Sequence, residues 1–159
     1  MKTPNPSMAF AQDVAQYNEP PLVSGVSGEF TLTQDNMILG TPKFAGRISD
    51  VFLSIKDCGT DITNALNISG EVYINGTTCL STTPKIAGVS GEAGAQKTTI
   101  VTGDTAVVQA VINPAANSYS PGDVITGSIL IQRTGSPDTE MESPVLAVDL
   151  FPDFPVAPK

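Results

Sequence analysis

Histidine and tryptophan are absent from this 159-residue chain, and cations are scarce. Each absence removes a class of function. Without imidazole there is no His base, no His-liganded metal and no Ser-His or Cys-His nucleophile pair. With 8 Lys+Arg against 16 Asp+Glu the net charge is −8, so the chain lacks the positive footprint by which proteins meet phosphates, and nucleic acid is not an expected partner. No apolar run approaches the ~20 residues needed to cross a bilayer. The opening Met1-Lys2-Thr3-Pro4-Asn5-Pro6 has no signal-peptide core. The expectation is therefore a product made in a cytoplasm, with no membrane partner. Cys58 and Cys79 are too few for a disulfide scaffold. They read as two buried thiols, with a single bridge or a reactive thiol as the alternatives.

Charged residues make up 15% of the chain, against ~25% in an average soluble protein. Gly and Pro, at 14 and 13, punctuate any long helix, while Thr, Val, Ile and Ser are abundant. That balance favours an all-β protein. The length suits one domain.

Residues 1–28 carry Pro4, Pro6, Pro20 and Pro21 and then a Val-Ser-Gly-Val-Ser-Gly run; they read as an extended N-terminal arm. Its Met8, Phe10, Val14, Tyr17, Leu22 and Val23 exceed what a solvating tail needs. Ordering such an arm costs about 1–2 kcal/mol per residue unless these side chains find a surface. They are the candidate partner-binding residues, expected to dock on a neighbouring subunit. From Glu29 the period is two. Residues 29–33 alternate, and Gln34-Asp35-Asn36 then reads as a hairpin turn into 37–39. Residues 47–55 form the next strand, with Val51, Leu53 and Ile55 on one face. Residues 61–67 allow one short helical turn. Residues 68–74 end at Asn75-Gly76, a strong type I′ hairpin signal, with 77–80 returning. Residues 81–105 form a long connection of the kind that carries function or packs on a neighbour. Strands at 106–112, 123–132 and 144–151 follow. The Pro-rich tail from Phe151 cannot pair as an interior strand. Short strands with turn chemistry between them predict an antiparallel β-sandwich of jelly-roll or immunoglobulin type over residues 29–159.

No motif carries chemistry. Gly91-Glu92-Ala93-Gly94-Ala95-Gln96-Lys97-Thr98 departs from a phosphate loop, which needs Gly where Gln96 stands and a helix after it. Paired carboxylates are the remaining catalytic option, with Glu71, Asp57 and Asp61, or Glu140 and Glu142, as candidates; none sits in a recognisable signature. Asp57, Thr60 and Asp61 with Asp50 offer oxygens for Ca²⁺ but not the EF-hand spacing. Asn67-Ile68-Ser69 and Asn75-Gly76-Thr77 match the glycosylation pattern, and Asn75 is already explained by its turn. The expectation is a non-enzyme without cofactor or metal.

The segments at 72–86, 109–112, 119–126 and 133–141 together resemble head decoration (cement) proteins of tailed bacteriophages with HK97-like capsids. The likeness covers about two-thirds of the chain and excludes the arm. It rests on turns and strand edges rather than reactive residues. It implies a virion protein on the outer surface of a phage head, synthesised in the host cytoplasm, with the major capsid protein and further copies of itself, as a homotrimer, for partners. The other reading is a carbohydrate- or receptor-binding module of a virion fibre or adhesin. The scarcity of aromatics, with no Trp and with Tyr17, Tyr73 and Tyr119 as the three tyrosines, counts against that reading.

Overall fold

Period-two alternation becomes extended chain throughout, and no helix occurs among the described residues. The computed structural model describes residues 20–61, 66–89, 92–133, 137 and 139–153. In chain order the strands are β1 (Leu22–Gly25), β2 (Gln34–Gly40), β3 (Gly46–Ile55), β4 (Asn67–Ile74), β5 (Thr77–Thr78), β6 (Leu80–Thr82) and β7 (Lys85–Ala87). They continue with β8 (Lys97–Thr98), β9 (Val107–Val108), β10 (Val111–Ile112), β11 (Ser118–Tyr119), β12 (Ile125–Gln132) and β13 (Val145–Pro152). Sheet one runs β1-β13-β3-β11, with β8 also on β3. Sheet two runs β2-β12-β4-β7-β9, with β5 also on β4, while β6 and β10 form a separate ribbon. Every pairing is antiparallel. The fold is an antiparallel β-sandwich, as the alternation implied.

The core lies between the sheets. Ile48, Val51, Leu53 and Ile55 of β3 are buried, while Arg47 and Ser49 on either side of Ile48 are exposed. From the opposite sheet, β4 contributes Ile68, Val72 and Ile74, and β12 contributes Ile125 and Ile129. Burying each such side chain is worth roughly 1.5–3 kcal/mol. Two inward positions of sheet two carry no side chain. A Cβ on Gly70 would stand 2.8 Å from Leu146 Cδ1, and one on Gly127 would stand 2.7 Å from Leu146 Cδ2 and 2.9 Å from Leu39 Cδ1. The fully buried Leu146 of sheet one fills the space these glycines leave, which locks the two sheets together.

The hairpin at Asn75-Gly76 forms as its dipeptide requires. Ile74 pairs with Thr77, and φ is 49° at Asn75 and 81° at Gly76. Other expectations are corrected. Gln34-Asp35-Asn36 is not a turn but the start of β2. Its positive φ of 53° at Asn36 is absorbed as a bulge, because Gln34 and Met37 pair with Ile129 and Gly127 of β12. The Asn36 N–H donates instead to Ser128 Oγ at 3.2 Å. The connection at 81–105 is not structureless, since it supplies β7, β8 and part of β6. Residues 106–112 break into β9 and β10, which pair with different strands. Phe151 and Pro152 do pair, with Arg47 and Gly46. β1 begins at Leu22 opposite Val148, so β13 has an open side beyond that point and a missing donor costs little. The helical turn expected over 61–67 falls largely outside the described residues.

Residues 20–28 are also not a free arm. β1 adds to β13 as an edge strand, with Leu22 opposite Val148 and Gly25 opposite Val145. The Val26 N–H then donates to Pro144 O at 3.0 Å, and Glu29 bridges to Glu142. The run over 22–25 lies beside a long central strand whose backbone groups need partners, and pairing satisfies them.

Candidate interaction surface

In sheet one, side chains alternate between the core and an outer face. Val23 of β1 stands opposite Ala147 of β13, which stands opposite Phe52 of β3. In the next outward row Gly25, Val145 and Ser54 follow one another. Val23 is 57% exposed, and Phe52, Val145 and Ala147 are half-buried. Residues 145–148 are thus apolar on both faces of the strand. Such runs belong to strands covered on both sides, yet among the described residues the outer one is only partly covered.

Past Phe52 the face continues into the long connection. A shallow depression of about 150 Å³ is lined by Asp50, Phe52, Ile100, Gln109 and Ala110, among others. At its rim Ile100 is 58% exposed, and Gln109 Nε2 donates to the Ile100 carbonyl at 3.3 Å. Asp50 and Asp149 stand directly opposite each other on β3 and β13, a like-charge cross-strand pair, which is unfavourable. Arg47 lies over the Phe151 ring, 4.9 Å from its centroid.

The connection is fastened to β3 by two devices. Thr99, itself buried, accepts the Leu53 N–H at its hydroxyl (2.9 Å) and donates its own N–H to Leu53 O (2.9 Å). Beside it, the nearly buried Lys97 lies 2.6 Å from Glu92 and 3.0 Å from Asp104. Burial pushes the Lys97 ammonium down, but its hydrogen bonds to Glu92 and Asp104 more than reverse this, so it titrates above its usual value. Asp104 is held below the usual carboxylate range, first by the Ala106 N–H and then by Lys97. The segment that fell short of a phosphate loop therefore uses Lys97 as an internal ion-pair clamp.

The other candidate residues are engaged locally. Asp57 Oδ1 accepts from the Gly59 and Gly94 N–H groups, both at 2.8 Å. Asp50 accepts from the Val51 N–H, and no group of three His, Cys, Asp or Glu able to hold a metal occurs among the described residues. Glu71 accepts from the Tyr73 hydroxyl, and this bond pushes the phenol up to about 12. Glu140 pairs with Arg133, and Glu142 pairs with Lys56 at 3.4 Å. Of the two sequons, Asn67 is buried on β4, and the exposed Asn75 donates to Asp123 and accepts the Val124 N–H. Cys58 and Cys79 are buried free thiols. Burial pushes both up, Cys79 to about 11, with Lys97 partly opposing the rise at Cys58. These are inert core thiols, which removes the bridge and the reactive-thiol alternatives.

Of the six residues singled out for partner binding, Met8, Phe10, Val14 and Tyr17 lie outside the described residues. The structure separates the other two: Leu22 packs toward the core, while Val23 joins the outer face. Phe52, Val145, Ala147 and Ile100 were not singled out from the sequence. Two signals mark the first three: Phe52 is an apolar residue in the polar phase of β3, and residues 145–148 are unbroken apolar sequence.

The site and the sandwich define a class, an all-β domain with an open apolar sheet face. No protein-family model matches the chain, and no curated protein matches its sequence. A solved structure described as that of infectious bursal disease virus Gx strain aligns with 82% of this chain at 16% identity and a TM-score of 0.35. The chain spans 32% of that protein's length. At this level the likeness carries no argument about function.

Proposed function

We propose that this protein is a non-enzymatic structural component of a virion, a decoration or cement protein on the outer surface of a phage head. Its partners would be the major capsid protein and further copies of itself in a trimer, with no cofactor. The observation that carries this reading is the outer face of sheet one, where Val23, Ala147 and Phe52 form an apolar row on a strand already apolar on its core side. Open apolar sheet faces mark association. A closed cyclic trimer would repeat one such contact around a threefold lattice position. Asp57, Glu71, Glu140 and Glu142, considered for catalysis, are tied to neighbouring donors, which suits a building block. A glycan-binding role finds less support, because Phe151, the aromatic side chain most exposed among the described residues, is stacked by Arg47. The test is whether the protein co-purifies with filled heads in near-stoichiometric ratio to the major capsid protein. Its absence from purified heads, or a hydrolytic activity abolished by Glu71→Ala or Asp61→Ala, overturns the reading.

A further inference from the structure

We infer that the outer face of sheet one is the seat of the N-terminal segment of a second copy, with residues 8–17 of one chain laid across Val23, Ala147, Phe52 and Ile100 of the next. The inference rests on the self-association in the reading above and names its contact.

The face asks for cover, since residues 145–148 are apolar on both sides of the strand and Val23 and Ile100 are more than half exposed. The segment ahead of β1 supplies the matching chemistry. Met8, Phe10, Val14 and Tyr17 fall within ten residues. At ~3.3 Å per residue that stretch reaches about 33 Å, well beyond the ~10 Å between β1 and β3 across β13.

Direction decides between the same chain and a neighbour. β1 is antiparallel to β13 and begins at Leu22 opposite Val148. The chain ahead of it therefore heads past the Asp149–Phe151 end of the sheet, away from the Val23 row. The two residues next to β1 are Pro20 and Pro21, both exposed. Fixed φ and restriction of the preceding residue keep such a pair extended. Doubling back onto its own face would require a reversal within the four residues between Tyr17 and Leu22, two of which are this stiff pair. Continuing outward, the segment meets a second molecule.

The test uses the full chain. Cys58 and Cys79 are buried, so a nitroxide attached to Ser7→Cys protein labels position 7. Labelled chains at natural isotope abundance are mixed at high concentration with ¹⁵N wild-type chains. The expected result is loss of amide signal intensity at Val23, Phe52 and Ala147 of the ¹⁵N copy, with Ser69 and Thr126 on sheet two unaffected. Replacing the ¹⁵N partner by Phe52→Asp, whose otherwise unchanged spectrum shows it folded, should restore the intensities. The inference is overturned if the mixed sample shows no such loss, or if the loss occurs only when nitroxide and ¹⁵N share a chain. It is also overturned if Phe52→Asp leaves the loss intact. Head binding is scored separately, so a failed exchange with intact head occupancy removes this contact and leaves the decoration reading standing.

Discussion

Gly127→Ala is expected to destabilise the sandwich by a definite and correctable amount. The added methyl would sit 2.7 Å from Leu146 Cδ2 and 2.9 Å from Leu39 Cδ1, both closer than real Cβ contacts tolerate. Leu146 is fully buried and also lies 2.8 Å from where a Gly70 methyl would be, so it has nowhere to swing. Overpacking of this kind costs about 1–3 kcal/mol. The Gly→Ala gain from a stiffer unfolded chain returns about 0.4–1 kcal/mol. A net loss of about 1.3 kcal/mol follows, which lowers Tm by roughly 3–5 °C for a domain of this size. Leu146→Ala alone should cost about 2–5 kcal/mol through its cavity. Combined with Gly127→Ala it should cost less than the sum, because the new methyl occupies part of the space vacated; coupling of about 0.5–3 kcal/mol is typical of residues in contact. Urea denaturation of the four proteins measures this. If Gly127→Ala melts with the wild type, or the two losses simply add, the two sheets do not interlock at Leu146.

Gly76→Val should lower stability by about 1–3 kcal/mol. No atom lies within 4 Å of the added Cβ while φ is +81°, so an unchanged melting curve would show that the turn relaxes freely. The Tyr73 phenol titrates near 12 because of Glu71, so ultraviolet absorbance should place its ionisation above the usual ~10 and Glu71→Gln should bring it down. Since the folded-state value is the higher one, the stability this bond contributes is present below about pH 10 and is lost as pH rises through 12. Asp104 and Asp123 are both depressed, Asp123 by the Ser120 N–H and then Asn75. Their contribution is therefore present above the unfolded carboxylate value of ~3.9 and disappears as pH falls through the folded values; Asp123→Asn should flatten the acid limb of a Tm-against-pH curve.

What could be read in advance was whatever depended on local chemistry. The Asn75-Gly76 turn follows from two adjacent residues that tolerate positive φ, and the buried face of β3 follows from Val51, Leu53 and Ile55. Asn36 misled because the same tolerance serves a turn and a bulge equally well, and the choice was made by Ser128 on a strand 92 residues away. Lys97 resembled part of a phosphate loop, while its partner Asp104 becomes a neighbour because the connection folds back on itself. The outer face of sheet one is the most distant assembly. It joins β1, β13 and β3 from both ends of the described chain, and alternation within a segment does not reveal which strands are neighbours.

That same strand order sets a schedule for folding. β13 sits in the interior of sheet one between β1 and β3, yet it follows every other described strand in the chain. During synthesis β1 and β3 emerge with no strand to join them, and sheet one acquires its middle after all the other described strands have been made. Pairings of such long sequence separation form slowly, since the loop must close before the contact rewards it. Until then β3 presents an unpaired backbone edge where β13 will join it, the kind of edge on which aggregation begins. Ribosome-stalled chains ending before residue 145 should accordingly be protease-sensitive over β1 and β3, and full-length chains should acquire protection there in one late step.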